Sequence, residues 1–224
     1  GFDADKHPPY LTMALGAGTV TPLQMAAGYA VFANGGYRVP PEIITRVTES
    51  RGKVLYEAPT TQLDESHRAI DERNAFLMSS LLQEITRSGT AARAQATLKR
   101  PDLYGKTGTT NDSMDAWFVG YQPTVAAAAW VGYDTPRNLG SRETGGGLSL
   151  PIWIDFMREA LKGVPVSEYT TPAGVINVGG EWYYEEYGPG NGVHGLGLRD
   201  PWPGAPGGAE TAVEPGGGPD NSNA

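Results

Sequence analysis

The most informative stretch of the chain is Lys106-Thr107-Gly108-Thr109-Thr110-Asn111-Asp112, followed closely by Asp115-Ala116-Trp117-Phe118. On an extended strand, this run places an ammonium group and hydroxyl groups near one another along a single edge. Gly108 has no side chain, so another backbone or a ligand can lie against the strand there. If the strand lies at the edge of a sheet, its free N–H and C=O groups can pair with an extended peptide, whose terminal carboxylate suits the lysine and the hydroxyls.

The triplet Lys106-Thr107-Gly108, taken by itself, indicates no more than an ordinary strand with a solvated lysine and two surface threonines. Such a triplet is expected by chance in roughly a few per cent of chains of this length. The seven-residue run with its Asp-Ala-Trp-Phe continuation is far more specific. We therefore interpret the whole stretch as a functional motif.

Composition excludes several other kinds of function. The 224 residues carry a net charge of -8, so nucleic acid and anionic membranes are not expected as partners. The chain has no cysteine, which removes disulfides, thiolate metal sites and cysteine nucleophiles. His7, His67 and His194 are isolated from one another, so the sequence indicates neither a metal site nor a Ser-His-Asp triad.

Three helices are predicted from their ends and from apolar spacing. The first begins with Thr21 as N-cap and Pro22 at the first helical position, and it ends at the glycines of residues 34–36. The second follows Asp71, and the third begins at Pro151. The apolar positions of the second are Met78, Leu81, Leu82 and Ile85. The buried stripe of the third is expected to comprise Trp153, Phe156, Met157 and Ala160.

Five strands are predicted, at residues 43–47, 54–56, 104–109, 116–121 and 125–133. Residues 126–129 are alanines, which prefer helix, but the run between Pro123 and Gly132 is too short for a helix. We therefore predict a central strand whose small side chains allow a helix to pack closely on each face.

These segments resemble a known family. Lys106-Thr107-Gly108 is similar to the third signature motif of serine penicillin-binding proteins and β-lactamases, and the seven-residue run resembles class A (bifunctional) penicillin-binding proteins. The resemblance covers about residues 10–165 and includes Thr144-Gly145-Gly146. It implies an α+β fold, the serine β-lactamase/penicillin-binding transpeptidase fold, in which helices cover an antiparallel sheet and of which only the later part is present.

The resemblance also implies roles for the matching residues. Lys106 would help to hold the active-site proton network and attract the substrate carboxylate. The hydroxyls of Thr107 and Thr109 would bind that carboxylate, and the N–H of Thr109 would supply half of the oxyanion hole. Gly108 would keep the strand clear for substrate. The other residues expected to bind substrate or to shape the site are Thr110, Asn111, Asp112, Asp115 and Trp117.

The implied reaction is acyl transfer between peptidoglycan stem peptides that end in D-Ala-D-Ala. A serine attacks the penultimate D-alanine carbonyl, the last D-alanine leaves, and an amine of a neighbouring strand resolves the acyl-enzyme. The implied partners are these stem peptides, β-lactams and an upstream part of the same protein, with neither metal nor organic cofactor. The parent protein would lie on the periplasmic face of the membrane, with an N-terminal anchor and a preceding glycosyltransferase domain.

The catalytic serine of the family has no counterpart here. The family uses Ser-x-x-Lys and Ser-x-Asn, and this sequence has no Ser-x-Asn. Its one Ser-x-x-Lys runs from Ser50 to Lys53 in a predicted turn, whereas the chemistry needs a buried helix start. Gly105-Lys106-Thr107 also fails as a phosphate-binding loop, since Arg100 stands where that loop requires a glycine.

We therefore expect residues 1–187 to be the C-terminal part of a transpeptidase domain, with an unpaired sheet edge, an exposed apolar face and low stability alone. Residues 188–224 contain eleven glycines and six prolines, which predicts a flexible tail. Two alternatives stay open. One is a D,D-carboxypeptidase or β-lactamase, in which water resolves the acyl-enzyme, and the other is a non-catalytic module that binds peptide.

Overall fold

The computed structural model describes residues 2–7, 9–16, 18–59, 62–141 and 143–191. Its helices are α1 (Pro22–Ala33), α2 (Glu72–Arg87), α3 (Arg93–Leu98) and α4 (Leu150–Ala160). Its strands are β1 (Arg46–Thr48), β2 (Val54–Glu57), β3 (Tyr104–Thr109), β4 (Asp115–Gln122), β5 (Val125–Gly132), β6 (Val175–Val178) and β7 (Glu181–Tyr184). A π-helical turn, Gly145–Ser149, leads into α4. The predicted tail lies outside the described residues from residue 192 onward.

The main sheet has three antiparallel strands in the order β3-β4-β5. Its register runs from Tyr104 opposite Tyr121 to Thr109 opposite Ala116 between β3 and β4. β3 is therefore an edge strand of the described sheet, as pairing with a peptide requires. The expectation that residues 125–133 form a central strand is wrong for the described sheet, because β4 is central and β5 has no second partner strand there.

Side chains alternate between the two faces along each strand, so each face of this sheet carries apolar side chains. Helices cover both faces. On one face, named the α1 face, α1 and α2 pack around Tyr104 and Tyr121, whose rings stack with centroids 4.9 Å apart. On the other, named the α4 face, α3 and α4 pack around Phe118 and Trp153. The alanines of β5 contribute to both clusters. The prediction that these alanines form a strand, with a helix packed closely on each face, is confirmed.

Local sequence accounts for the helix starts. Thr21 Oγ1 accepts a hydrogen bond from the N–H of Gln24 at 3.2 Å, and the Gln24 side chain returns the contact at the N-cap, which forms a capping box. Asp71 accepts from the N–H of Arg73 at 2.9 Å and caps α2. These side chains satisfy N–H groups that have no partner in the first helical turn, and both predicted starts are confirmed.

Two apolar residues of the predicted helices are exposed to solvent in the structure. Phe156 is 53% exposed, whereas Trp153 and Met157 are buried as expected. Ile154 and Phe156 lie on opposite sides of Trp153 around the helix axis, and the sheet lies on the Ile154 side. Leu81 is likewise 60% exposed on α2. Spacing alone shows that apolar residues share a helix surface, but the position of the sheet decides which margin of that surface is covered.

Candidate active site on the edge of β3

The backbone at the end of β3 is available for pairing. The N–H of Thr110 donates to the C=O of Asp115 at 3.2 Å, which makes this a hydrogen-bonded pair of the β3–β4 ladder. Hydrogen-bonded and non-hydrogen-bonded pairs alternate in an antiparallel ladder. Thr107 and Thr109 therefore occupy non-hydrogen-bonded positions, and their N–H and C=O groups turn away from β4 towards the open edge.

Lys106 reaches this edge from the opposite face of the strand. Strand alternation places its side chain on the α1 face and those of Thr107 and Thr109 on the α4 face. Its Nζ nevertheless crosses the edge and donates to the backbone C=O of Thr107 at 2.8 Å and to Thr107 Oγ1 at 3.3 Å. Lys106 is exposed, so a positive charge and a hydroxyl lie side by side where a carboxylate can approach.

The hydroxyl of Thr109 is held by the glycine-rich turn Gly145–Ser149. The N–H of Gly145 donates to Thr109 Oγ1 at 3.1 Å, which orients the side chain and leaves its proton available to a ligand. Glycine is required at this position, because a Cβ atom at Gly145 would lie 2.2 Å from the C=O oxygen of Trp117 and 2.6 Å from that of Gly108. The sequence does not assign Gly145 a role in the site, although the Gly145-Gly146-Gly147 run was a usable signal.

Gly108 and Trp117 lie opposite each other in the β3–β4 ladder. A Cβ atom at Gly108 would lie 3.2 Å from Trp117 Cβ and 3.9 Å from Trp117 Cγ, and apart from its chain neighbours it would meet no other described residue within 4 Å. The ring of Trp117 lies 6.0 Å from that of Trp130, whose Nε1 donates to Asp115 Oδ1 at 2.8 Å. Strand alternation puts Trp117 and Trp130 on the same face of the sheet as Lys106.

The remaining candidates form the turn that follows β3. The Oγ1 atom of Thr110 accepts from the N–H of Asp115 at 2.8 Å. Asp112 has φ 58, outside the regions that most side chains adopt, and its C=O accepts from the amide of Asn138. The side chains of Thr110 and Asp115 thus have partners inside the chain, and Asn111 begins the turn. The structure brings Lys106, Thr107 and Thr109 together at the edge of β3. The residues of the turn lie next to that edge.

Ser50 is not part of a helix. It lies in the turn between β1 and β2, where the N–H of Glu49 donates to the C=O of Lys53 at 2.9 Å and Gly52 has φ 85. The prediction that Ser50 and Lys53 do not share a helical turn is confirmed.

The described residues contain no group of three or more histidine, aspartate and glutamate side chains that could hold a metal ion. Among the helices that the structure describes, none combines the length and the apolar character needed to cross a membrane.

Comparison with known proteins identifies the same family over most of the chain. The model of the penicillin binding protein transpeptidase domain matches residues 8–158. Penicillin-binding protein 1A of Neisseria flavescens is 46% identical over 187 residues, which are 83% of this chain and 23% of that protein. Penicillin-binding protein 1A of Pseudomonas aeruginosa is 38% identical, over 80% of this chain and 27% of its own length. The chain thus spans about a quarter of the curated relatives that it matches.

Solved structures agree with the sequence comparison. The crystal structure of penicillin-binding protein 1A from Haemophilus influenzae matches 79% of this chain and 31% of its own, with a TM-score of 0.72 and 32% identity. The penicillin-binding protein PonA1 from Mycobacterium tuberculosis matches 93% of this chain and 51% of its own, with a TM-score of 0.64 and 28% identity. The predicted fold and the predicted class A resemblance are confirmed. This chain belongs to the penicillin-binding protein transpeptidase family.

Proposed function

We propose that this chain supplies the carboxylate-binding edge and half of the oxyanion hole of a D,D-transpeptidase that cross-links peptidoglycan stem peptides through a serine acyl-enzyme. The observation that carries the proposal is the free edge of β3, where the backbone groups of Thr107 and Thr109 face outward beside the ammonium of Lys106. Family membership supplies the class of reaction.

The D-Ala-D-Ala end of a stem peptide would lie extended along this edge. The N–H of Thr107 and the N–H and C=O of Thr109 would pair with the peptide backbone, as in strand addition to a sheet, while the C=O of Thr107 keeps its bond to Lys106 Nζ. The terminal carboxylate would lie between Nζ of Lys106 and the two threonine hydroxyls, which together make charge-assisted hydrogen bonds. Neither a metal ion nor an organic cofactor has a part in this recognition.

The backbone N–H of Thr109 would then stabilise the attacked carbonyl. As a serine Oγ attacks the penultimate D-alanine carbonyl, negative charge develops on the carbonyl oxygen, and a preorganised N–H stabilises that charge. The C–N bond breaks, the last D-alanine leaves as an amine that takes up the serine proton, and an ester to serine remains. An amine of a neighbouring strand attacks this ester and restores the serine.

We also propose that the serine and its partner lysine come from upstream sequence of a longer protein, so this chain is inactive alone. The sequence has no Ser-x-Asn, its single Ser-x-x-Lys lies in a turn, and the matched relatives are about four times longer. The longer protein would be periplasmic and anchored by an N-terminal segment. The low stability of the chain alone remains a prediction.

Intact mass after penicillin treatment tests the proposal, on this chain and on the protein extended upstream through the whole domain. Penicillin is a suitable probe because the related PonA1 has been solved in complex with penicillin V. The extended protein is expected to gain one penicilloyl adduct, and this chain none. An adduct on this chain would make Ser50 a nucleophile, whereas an unreactive extended protein would favour a module that only binds peptide.

Product analysis separates transpeptidation from its hydrolytic relatives. Incubation of the extended protein with stem pentapeptides is expected to produce cross-linked dimers. Shortened monomers would instead indicate a D,D-carboxypeptidase, and hydrolysed penicillin would indicate a β-lactamase.

A further inference from the structure

We propose that Thr90 is a positioning residue that directs the hydroxyl proton of Thr107 towards the substrate carboxylate. The inference rests on the proposed function and extends it to a residue outside β3. Thr90 lies between α2 and α3, and its Oγ1 is 2.8 Å from Thr107 Oγ1. The sequence motif does not reveal this pair, because 17 residues separate its members.

The number of donors and acceptors decides the direction of the proton. A hydroxyl group has one proton to donate and two lone pairs. The ammonium of Lys106 can only donate, so at 3.3 Å it occupies one lone pair of Thr107 Oγ1. If Thr90 donates to the second lone pair, the proton of Thr107 is free to point outward from the edge.

A bound carboxylate selects this arrangement. Without a ligand, either of the two threonine hydroxyls can donate to the other. A carboxylate has no proton and accepts only, so it binds the state in which Thr107 donates outward and Thr90 donates to Thr107. Thr90 thus completes a short relay of hydrogen bonds that ends on the substrate, which makes the Thr107 bond stronger than that of an unsupported hydroxyl.

Thr90 is held in place on two sides. The next residue, Ala91, is buried in the core of the α4 face, and its N–H donates to the C=O of Ile85 at 3.0 Å. On the other side lies Gly146, where a Cβ atom would be 3.3 Å from the C=O oxygen of Thr90 and 3.8 Å from Thr107 Cγ2. The glycine-rich turn thus packs against both Thr90 and Thr107. This packing fixes the geometry in which their hydroxyls meet.

The test is the rate of penicillin acylation of the full-length protein that contains this chain. Thr90→Val removes the hydroxyl and keeps the shape, and it is expected to slow acylation roughly 3- to 10-fold, the range for loss of one neutral hydrogen bond. Thr90→Ser keeps the hydroxyl and is expected to react at about the parent rate. Ser88→Ala is the matched control, because the Ser88 hydroxyl on the same segment is directed at Glu84 and should not affect the rate.

A double-mutant cycle separates positioning from folding. In a Thr107→Val background, Thr90→Val is expected to cause no further loss, because the hydroxyl on which it acts is absent. The same slowing in that background would overturn the proposal, as would parent-rate acylation by Thr90→Val with an unchanged melting temperature. Thr90→Ala replaces the valine variant if the latter unfolds. A parent protein that forms no adduct would instead overturn the proposed function, and this inference with it.

Discussion

The two halves of β3 differ sharply in their surroundings. Tyr104 and Gly105 are buried, and the ring of Tyr104 stacks on Tyr121 between α1 and α2. Lys106 and Thr109, only a few residues further, are exposed, and the backbone there lacks a second partner strand in the described sheet. The buried half fixes the position of the strand, so the exposed half can hold its outward-facing backbone groups in a rigid geometry. In the proposed function, binding an extended peptide would then cost little additional ordering of the protein.

The anchoring half is reinforced by buried polar contacts as well as by aromatic packing. The hydroxyl of Tyr121 lies 2.7 Å from Ser79 Oγ of α2. The carboxylate of Asp102, just before β3, accepts hydrogen bonds from Arg100, from the amide of Gln122 at 3.0 Å and from the N–H of Ser167 at 3.0 Å. All of these groups are at the end of the sheet remote from Thr109. The comparison predicts that changes at this end act on stability, whereas changes at the open edge act on acylation.

The largest effect is expected from Tyr121→Ala. The change removes a fully buried aromatic ring that stacks on Tyr104. It should lower the free energy of unfolding of the full-length protein by about 3–5 kcal/mol. Denaturant unfolding measures this loss. Tyr121→Phe is the matched control: it loses only the hydrogen bond with Ser79, at a cost of about 1 kcal/mol. Equal losses for both variants would show that the ring does not anchor the strand.

The open edge is expected to respond in the opposite way. Lys106→Ala should slow penicillin acylation roughly 10- to 100-fold, as expected for losing one charge-assisted hydrogen bond, and leave the melting temperature unchanged because Lys106 is exposed. Lys106→Arg keeps the charge but changes its geometry, so an intermediate rate is expected. A drop in melting temperature for Lys106→Ala would contradict the division between an anchoring half and a binding half.

The smallest effect is a pH dependence at Asp102. Burial tends to raise the pKa of this carboxyl, but the hydrogen bonds from Arg100, Ser167 and Gln122 outweigh burial and hold the pKa below its ordinary value of 3.8. A lowered pKa in the folded state means that the stabilisation is complete above this value and is lost as the pH falls towards the folded pKa. As the pH falls through 3.8 towards the folded pKa, the parent should therefore show a steeper loss of stability than Asp102→Asn in denaturant unfolding. Identical slopes would exclude Asp102 as a source of acid sensitivity.

Sequence reasoning succeeded where one local interaction settles the outcome. Thr21 and Asp71 start helices because their own side chains reach the next N–H groups. The strands on both sides of the turn at residues 111–113 follow from their own sequence and from the short polar connection between them. Local patterns were insufficient for α3, six residues whose only fully buried side chain is Ala94, and for the outward orientation of Phe156.

The candidate site shows the same division. The sequence by itself determined the chemical groups of the edge: an ammonium at Lys106, hydroxyls at Thr107 and Thr109, and a glycine between them, on a strand. Only the tertiary structure decided that β3 lies at an edge of the described sheet, that Gly145 orients Thr109, and that Thr90 meets Thr107. The reason is physical: strand and helix propensities act within a few residues, whereas these contacts join residues 17 and 36 positions apart, which only the packing of the helices and the glycine-rich turn against the sheet brings together.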